Sequence, residues 1–178
     1  GTYMYHDRGG VGYIYLSDNK KYILKVIPQV ALGKKEVQLQ TKAGECAPKI
    51  HFHGTTNIPY NDEDKNFAFE SSNDKILIII MDYLDPIVWE PVHKGSLLDG
   101  ANQFLIKPII DFTYTLTHIH KLKGGKDIIG FTGPHVYFNK LNTNILNLID
   151  YGTFSISNDL QTDYMDMLID FDTFLIRD

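Results

Sequence analysis

The hydrophobic rhythm of this chain changes at Leu84-Asp85-Pro86, and the change restricts the fold more than any single motif. Before it, apolar residues come in short β-rich runs at 13–16, 22–27, 67–70 and 75–83. After it, Leu105, Ile109, Phe112, Leu116 and Ile119 recur at spacings of four and three, the stripe of an amphipathic helix. A chain patterned this way predicts an α+β fold in one domain. Its first part, 1–84, is β-rich with one helix, and its second, 85–178, is mainly helical.

Smaller signals fill in the elements. The polar cluster Ser17-Asp18-Asn19-Lys20 predicts a hairpin between the first two runs. Residues 33–43 are polar and rich in helix formers, with Gly44 and Pro48 as stops, which predicts a short helix. A surface loop is expected over 57–65, with 67–70 and 75–83 paired around Ser71-Ser72-Asn73-Asp74. Pro108 starts or kinks the later helix, and Lys123-Gly124-Gly125-Lys126 ends it. A second hairpin is expected from 136–138 and 145–149. The last helix carries the stripe Tyr164, Leu168, Phe171 and Leu175.

Composition excludes some function classes. A net charge of −5 argues against a nucleic-acid surface, which needs clustered Lys and Arg. No apolar run is long enough to span a membrane. Cys46 is the one cysteine, so no internal disulfide exists, and beside Ala47-Pro48 it reads as a packed side chain. Gly1-Thr2-Tyr3-Met4 shows no secretory signal, so a cytoplasmic location is expected.

Lys25 is the sharpest chemical feature. In Tyr22-Ile23-Leu24-Lys25-Val26-Ile27 it shares a strand face with Ile23 and Ile27, so it needs an anionic partner or a route to water. Upstream lies Gly9-Gly10-Val11-Gly12, where missing Cβ atoms let backbone N–H groups approach an anion. Glu36 sits on the helix that follows. Met81-Asp82-Tyr83-Leu84 closes a buried strand, and Asp150-Tyr151-Gly152 follows the run at 145–149.

In this order the features resemble the protein-kinase fold, most closely the compact kinases and pseudokinases of large DNA viruses, including the vaccinia-related group. The resemblance implies a bilobal fold. Gly9 and Gly12 match the second and third glycines of the G-x-G-x-x-G-x-V loop and Ile14 takes the Val place, while Asp7 replaces the first glycine. Lys25 would then engage nucleotide phosphates and pair with Glu36. Met81 would back an adenine pocket edged by the backbone near Asp82 and Leu84, and Asp150 would hold Mg2+ bound to ATP.

The same resemblance exposes a defect. Where the family writes H-R-D-x-x-x-x-N, Ile128 takes the His place, Gly130 the Asp place and His135 the Asn place. Glycine cannot accept a proton, so general-base catalysis is lost there. Asp127 lies three residues early, and a register on Asn139 and Asn144 leaves too little chain before Asp150. No A-P-E segment follows Gly152, and Asp163 or Asp166 matches the helix acid that anchors the family's catalytic loop. His135 is also a candidate transition-metal ligand. The expectation is a pseudokinase that binds ATP and Mg2+ weakly or not at all. It would act through a protein partner, a host protein or another kinase, in host cytoplasm or nucleus if viral. The alternatives are an active atypical Ser/Thr kinase and an interaction module without nucleotide.

Overall fold

The computed structural model describes residues 2–8, 12–57, 75–124 and 135–176. Its first part is an antiparallel sheet of β1 (Tyr3–Arg8), β2 (Tyr13–Ser17), β3 (Tyr22–Ile27), β4 (Ile50–Asn57) and β5 (Lys75–Asp82), with α1 (Val30–Lys42) between β3 and β4 in sequence. The spatial order is β1-β2-β3-β5-β4. The expected β2–β3 hairpin forms, with Ile14 opposite Lys25. Its turn is held by the Ser17 hydroxyl, which donates to Asn19 (2.6 Å) and accepts from the Tyr22 amide (3.0 Å).

The two-residue period of β3 sorts its side chains as expected. Ile23 and Ile27 join Val37, Leu77, Ile79 and Met81 on the face that α1 covers. Leu24 and Val26 pack with Tyr13, Tyr15, Ile76 and Ile78 on the other. α1 begins at Val30, before the expected position 33. Gly33 lies inside it for a packing reason: a Cβ there would sit 2.5 Å from a Leu77 methyl. β1 carries no apolar alternation and β4 only Ile50 and Phe52 ahead of a polar run, too little for sequence pattern to reveal either. The run at 67–70 lies outside the described residues, and β5 pairs with β3 and β4.

The second part begins with β6 (Trp89–Pro91) and short 3-10 turns that lead into α2 (Ile106–Tyr114). Pro108 sits in the first turn of α2, where its missing N–H costs nothing. A π-helical turn, Thr115–Ile119, continues the helix. Thr113, Thr115 and Thr117 each bond back to a carbonyl four residues earlier (2.7–3.0 Å), a contact that competes with regular helix geometry. The apolar stripe therefore holds through Leu116, but Ile119 is rotated out and exposed. The helix ends there, earlier than expected: β7 (Leu122–Lys123) occupies the start of the expected stop and pairs with β10 (Ser155–Ile156). β8 (Val136–Asn139) and β9 (Leu146–Leu148) form the second hairpin, with β6 alongside β8.

α3 (Leu160–Ile176) starts on Asp159, whose carboxylate accepts from the Thr162 amide (3.2 Å) and hydroxyl (2.9 Å). Its buried face is Asp163, Met167, Phe171 and Leu175. Tyr164 and Leu168, expected on that face, are only half-buried flanks. The pattern misleads because an acid occupies the first core position. Asp163 is accommodated by Ser157, which donates to it at 2.5 Å, and by Lys123 at 3.7 Å.

One apolar core unites α2, α3, β8 and β9 with Leu39, Ala43, Cys46 and Ala47 at the far end of α1. The mixed α+β class is as expected. Among the described residues no helix is long and apolar enough to cross a membrane.

Phe171→Ala should lower stability by about 3–5 kcal/mol and Leu168→Ala by clearly less, read as urea midpoints. The Thr162 hydrogen bonds, backbone first, hold the Asp159 carboxyl below its ordinary pKa. A depressed carboxylate stabilises above its unfolded pKa, and that contribution disappears as pH falls through the folded value. The stability gap between wild type and Asp159→Ala should therefore narrow in acid.

Candidate functional site

Lys25 reaches from the α1-facing side of β3 to Glu36 on α1, and its Nζ donates to Oε1. Both residues are buried, Glu36 to 1% exposure, so the pair is an ion pair withdrawn from water. Glu36 Oε2 is also buried and has no hydrogen-bond partner among the described residues. One turn further along α1, the Gln40 amide donates to the Pro48 carbonyl (2.9 Å) and touches Met81 sulfur (3.6 Å).

Lys25 opens onto a cavity of about 190 Å³. Ile14, Ile23, Met81 and Leu84 supply apolar walls, His6, Asp7 and Asp82 a polar rim, and Tyr137 and Ile149 the side contributed by the second part. Five expected residues, Ile14, Lys25, Met81, Asp82 and Leu84, thus meet around one space, with Glu36 behind Lys25. A more open groove of about 650 Å³ adjoins it and shares Pro48, Asp82, Tyr83 and Leu84.

Asp150 directly follows Ile149, a lining residue of this space, and is not itself part of the lining. Its Oδ1 accepts from the Gly152 amide (3.0 Å) in a tight turn, and its Oδ2 lies 3.7 Å from His135 Nε2. His135 Nδ1 is buried with no hydrogen-bond partner among the described residues. The two side chains form a mixed nitrogen and oxygen donor pair, which suits transition metals better than magnesium. Asp163, not the exposed Asp166, is the buried acid of α3.

Gly12 has a structural requirement of its own. A Cβ there would lie 2.3 Å from the Val26 carbonyl, so only glycine lets β2 begin this close to β3. Gly9 and Gly130 lie outside the described residues.

The electrostatics do not favour a bare polyanion. Glu36 already balances Lys25, and Asp7 and Asp82 add carboxylates to the rim. Asp82 in turn bonds His51 (2.5 Å). Tyr83 and Tyr137 both have phenols pushed above the ordinary value, Tyr83 by burial and then Asp85, Tyr137 by burial and then Tyr83. Both stay protonated and can donate hydrogen bonds. The Cys46 thiol is pushed up to about 12, first by burial and then by Glu45, which makes it a poor nucleophile as expected.

Tyr137 and Ile149, like His6 and Pro48, are cavity residues that motif reading missed. The signal for Tyr137 is alternation on β8, where its buried neighbours Val136 and Phe138 point to the core and leave it facing the cavity. Neither the known protein-family models nor the curated proteins give a match to this chain.

Lys25→Ala should cost about 3–5 kcal/mol, because it strands a buried carboxylate. Lys25→Met combined with Glu36→Leu should recover most of that loss. Urea unfolding of the three variants measures both effects.

Proposed function

We propose that this chain is a protein-kinase-like domain that works as a pseudokinase. Residues 1–84 form its smaller lobe and 85–178 belong to its second lobe. The observation that carries this reading is the buried Lys25–Glu36 pair, set between a strand and a helix and opening onto a cavity whose rim leads to Asp150. The strand order, with a helix inserted between β3 and β4, is consistent with it.

The cavity is smaller than the roughly 300–1,000 Å³ usual for drug-sized ligands, so its enclosed volume suits a base-sized group. The apolar walls would sandwich a planar ring, and the backbone of 82–84 would supply its polar contacts. Lys25 would contribute a positive charge shared with Glu36, and Asp150 a metal ligand. Bound Mg2+ would neutralise phosphate charge that Asp7 and Asp82 otherwise repel. ATP binding is therefore weak and metal-assisted. With Gly130 in place of the base, this domain acts through a protein partner, such as a host protein or another kinase, and does not transfer phosphate. The small volume and balanced charge also favour a second reading, an interaction module that binds no nucleotide.

Millimolar ATP should raise the melting temperature by a few degrees in Mg2+ and by less without it, since a ligand of the folded state stabilises by mass action. Asp150→Asn should remove the metal-dependent part. The absence of any shift, with or without metal, selects the second reading. Labelling of acceptor proteins by radioactive ATP that disappears in Asp150→Ala would overturn the pseudokinase reading in favour of an active kinase.

A further inference from the structure

We propose that Glu45, Cys46 and His120 form a binding site for one thiophilic divalent transition metal ion, with Zn2+ the leading candidate. The site is independent of the kinase-like reading. One ligand atom from each residue lies within 4.8 Å of the other two. His120 Nε2 is 3.1 Å from both carboxylate oxygens of Glu45.

The donor chemistry selects the metal. A sulfur, an imidazole nitrogen and one carboxylate are the ligand types of zinc sites, while Mg2+ and Ca2+ prefer oxygen alone. With Zn–N near 2.0–2.1 Å and Zn–S near 2.3 Å, tetrahedral ligands stand roughly 3.3–3.8 Å apart. The set needs to contract by about an ångström, which rotation of the half-buried His120 and exposed Glu45 side chains supplies. Access runs inward from solvent: Glu45 at the rim, His120 below it and Cys46 buried. Water completes the fourth position at the rim.

The backbone that carries two of the ligands is already fixed. The Tyr151 hydroxyl donates to the Cys46 carbonyl (2.9 Å), and the Asn147 amide donates to the Glu45 carbonyl (3.2 Å). Gly44 has a φ of +55°, and a Cβ on it would meet the His120 ring at 3.1 Å, so the glycine seats the imidazole against the turn. The ordinary alternative is a weak surface contact between Glu45 and His120 alone. That alternative assigns no role to the Cys46 sulfur, which lies within 4.8 Å of both partners.

Binding forms a metal–sulfur bond and breaks the Cys46 S–H bond, and the proton goes to solvent. The proton that His120 Nε2 donates to Glu45 in the metal-free state moves through solvent to Nδ1, which frees the Nε2 lone pair of the neutral imidazole for the ion. The Glu45–His120 hydrogen bond is exchanged for two bonds to the ion. Because the ligands come from the turn after α1 and from the end of the π-helical turn, the ion ties the sheet part to the helical part.

The test uses the whole chain, freed of metal by dialysis against chelator and titrated with Co2+, then with Zn2+. The expected result is one equivalent of Co2+ with a thiolate-to-cobalt charge-transfer band, displaced by Zn2+, and a Zn2+-dependent rise in melting temperature. Cys46→Ser should lose the band. The rim variant Glu45→Gln, which disturbs no core, should fold normally by circular dichroism and weaken Zn2+ binding more than about tenfold. His120→Gln should do the same or more. Folded wild type without a charge-transfer band at saturating Co2+ would overturn the proposal. So would a band that survives in folded Cys46→Ser, or Zn2+ affinity unchanged by both Glu45→Gln and His120→Gln.

Discussion

An ion pair removed from water imposes strict geometry on whatever holds it. Lys25 and Glu36 can remain charged and buried only if strand and helix keep their side chains in contact, since either alone would be an unpaired charge in an apolar setting. The pair therefore fixes how α1 rotates over the sheet. Gly33, one turn earlier on α1, fixes how closely it approaches, through its contact with Leu77. The cavity inherits its shape from these two constraints, because Lys25, Ile23 and Met81 form its wall only while the helix stays in place.

A second constraint lies at the other end of the same helix. Ala43, Cys46 and Ala47 leave the sheet part's own small cores and enter the core built on α2 and α3. Tyr151, beside Asp150, reaches across to the same turn. The aromatic residue of Asp150-Tyr151-Gly152 thus has a structural task that is separate from whatever Asp150 binds.

Local pattern made much of this legible, and tertiary partnership hid the rest. The parity of β3 follows from a two-residue period, so the face and partner requirement of Lys25 could be read directly. Both hairpins carry turn residues at the right offsets. β4 could not be read because Ile50–Asn57 is polar on most of its length and is recognised only by pairing with β5. On α3 the first half of the apolar stripe falls one residue earlier than the sequence suggests, at Asp163 and Met167, because the charge of Asp163 is offset by Ser157 just before the helix and by Lys123 on β7. Gly12 looked like a phosphate contact, and a neighbouring carbonyl already demands glycine there. Glu45 and His120 stand 75 residues apart, a distance no local pattern spans.

The anchoring of α1 at one end turns the helix into a lever. Its C-terminal end is embedded in the larger core, while its N-terminal end rests only on the sheet. Thirteen helical residues extend about 20 Å, so a tilt of about 5° about the Cys46 end would displace the Val30 end by roughly 2 Å. Glu36, near the middle, would travel about half as far and would carry Lys25 with it. The wall of the cavity is thus geared to the angle between the two parts of the chain, and anything that grips the Gly44–Cys46 turn acts at the fulcrum.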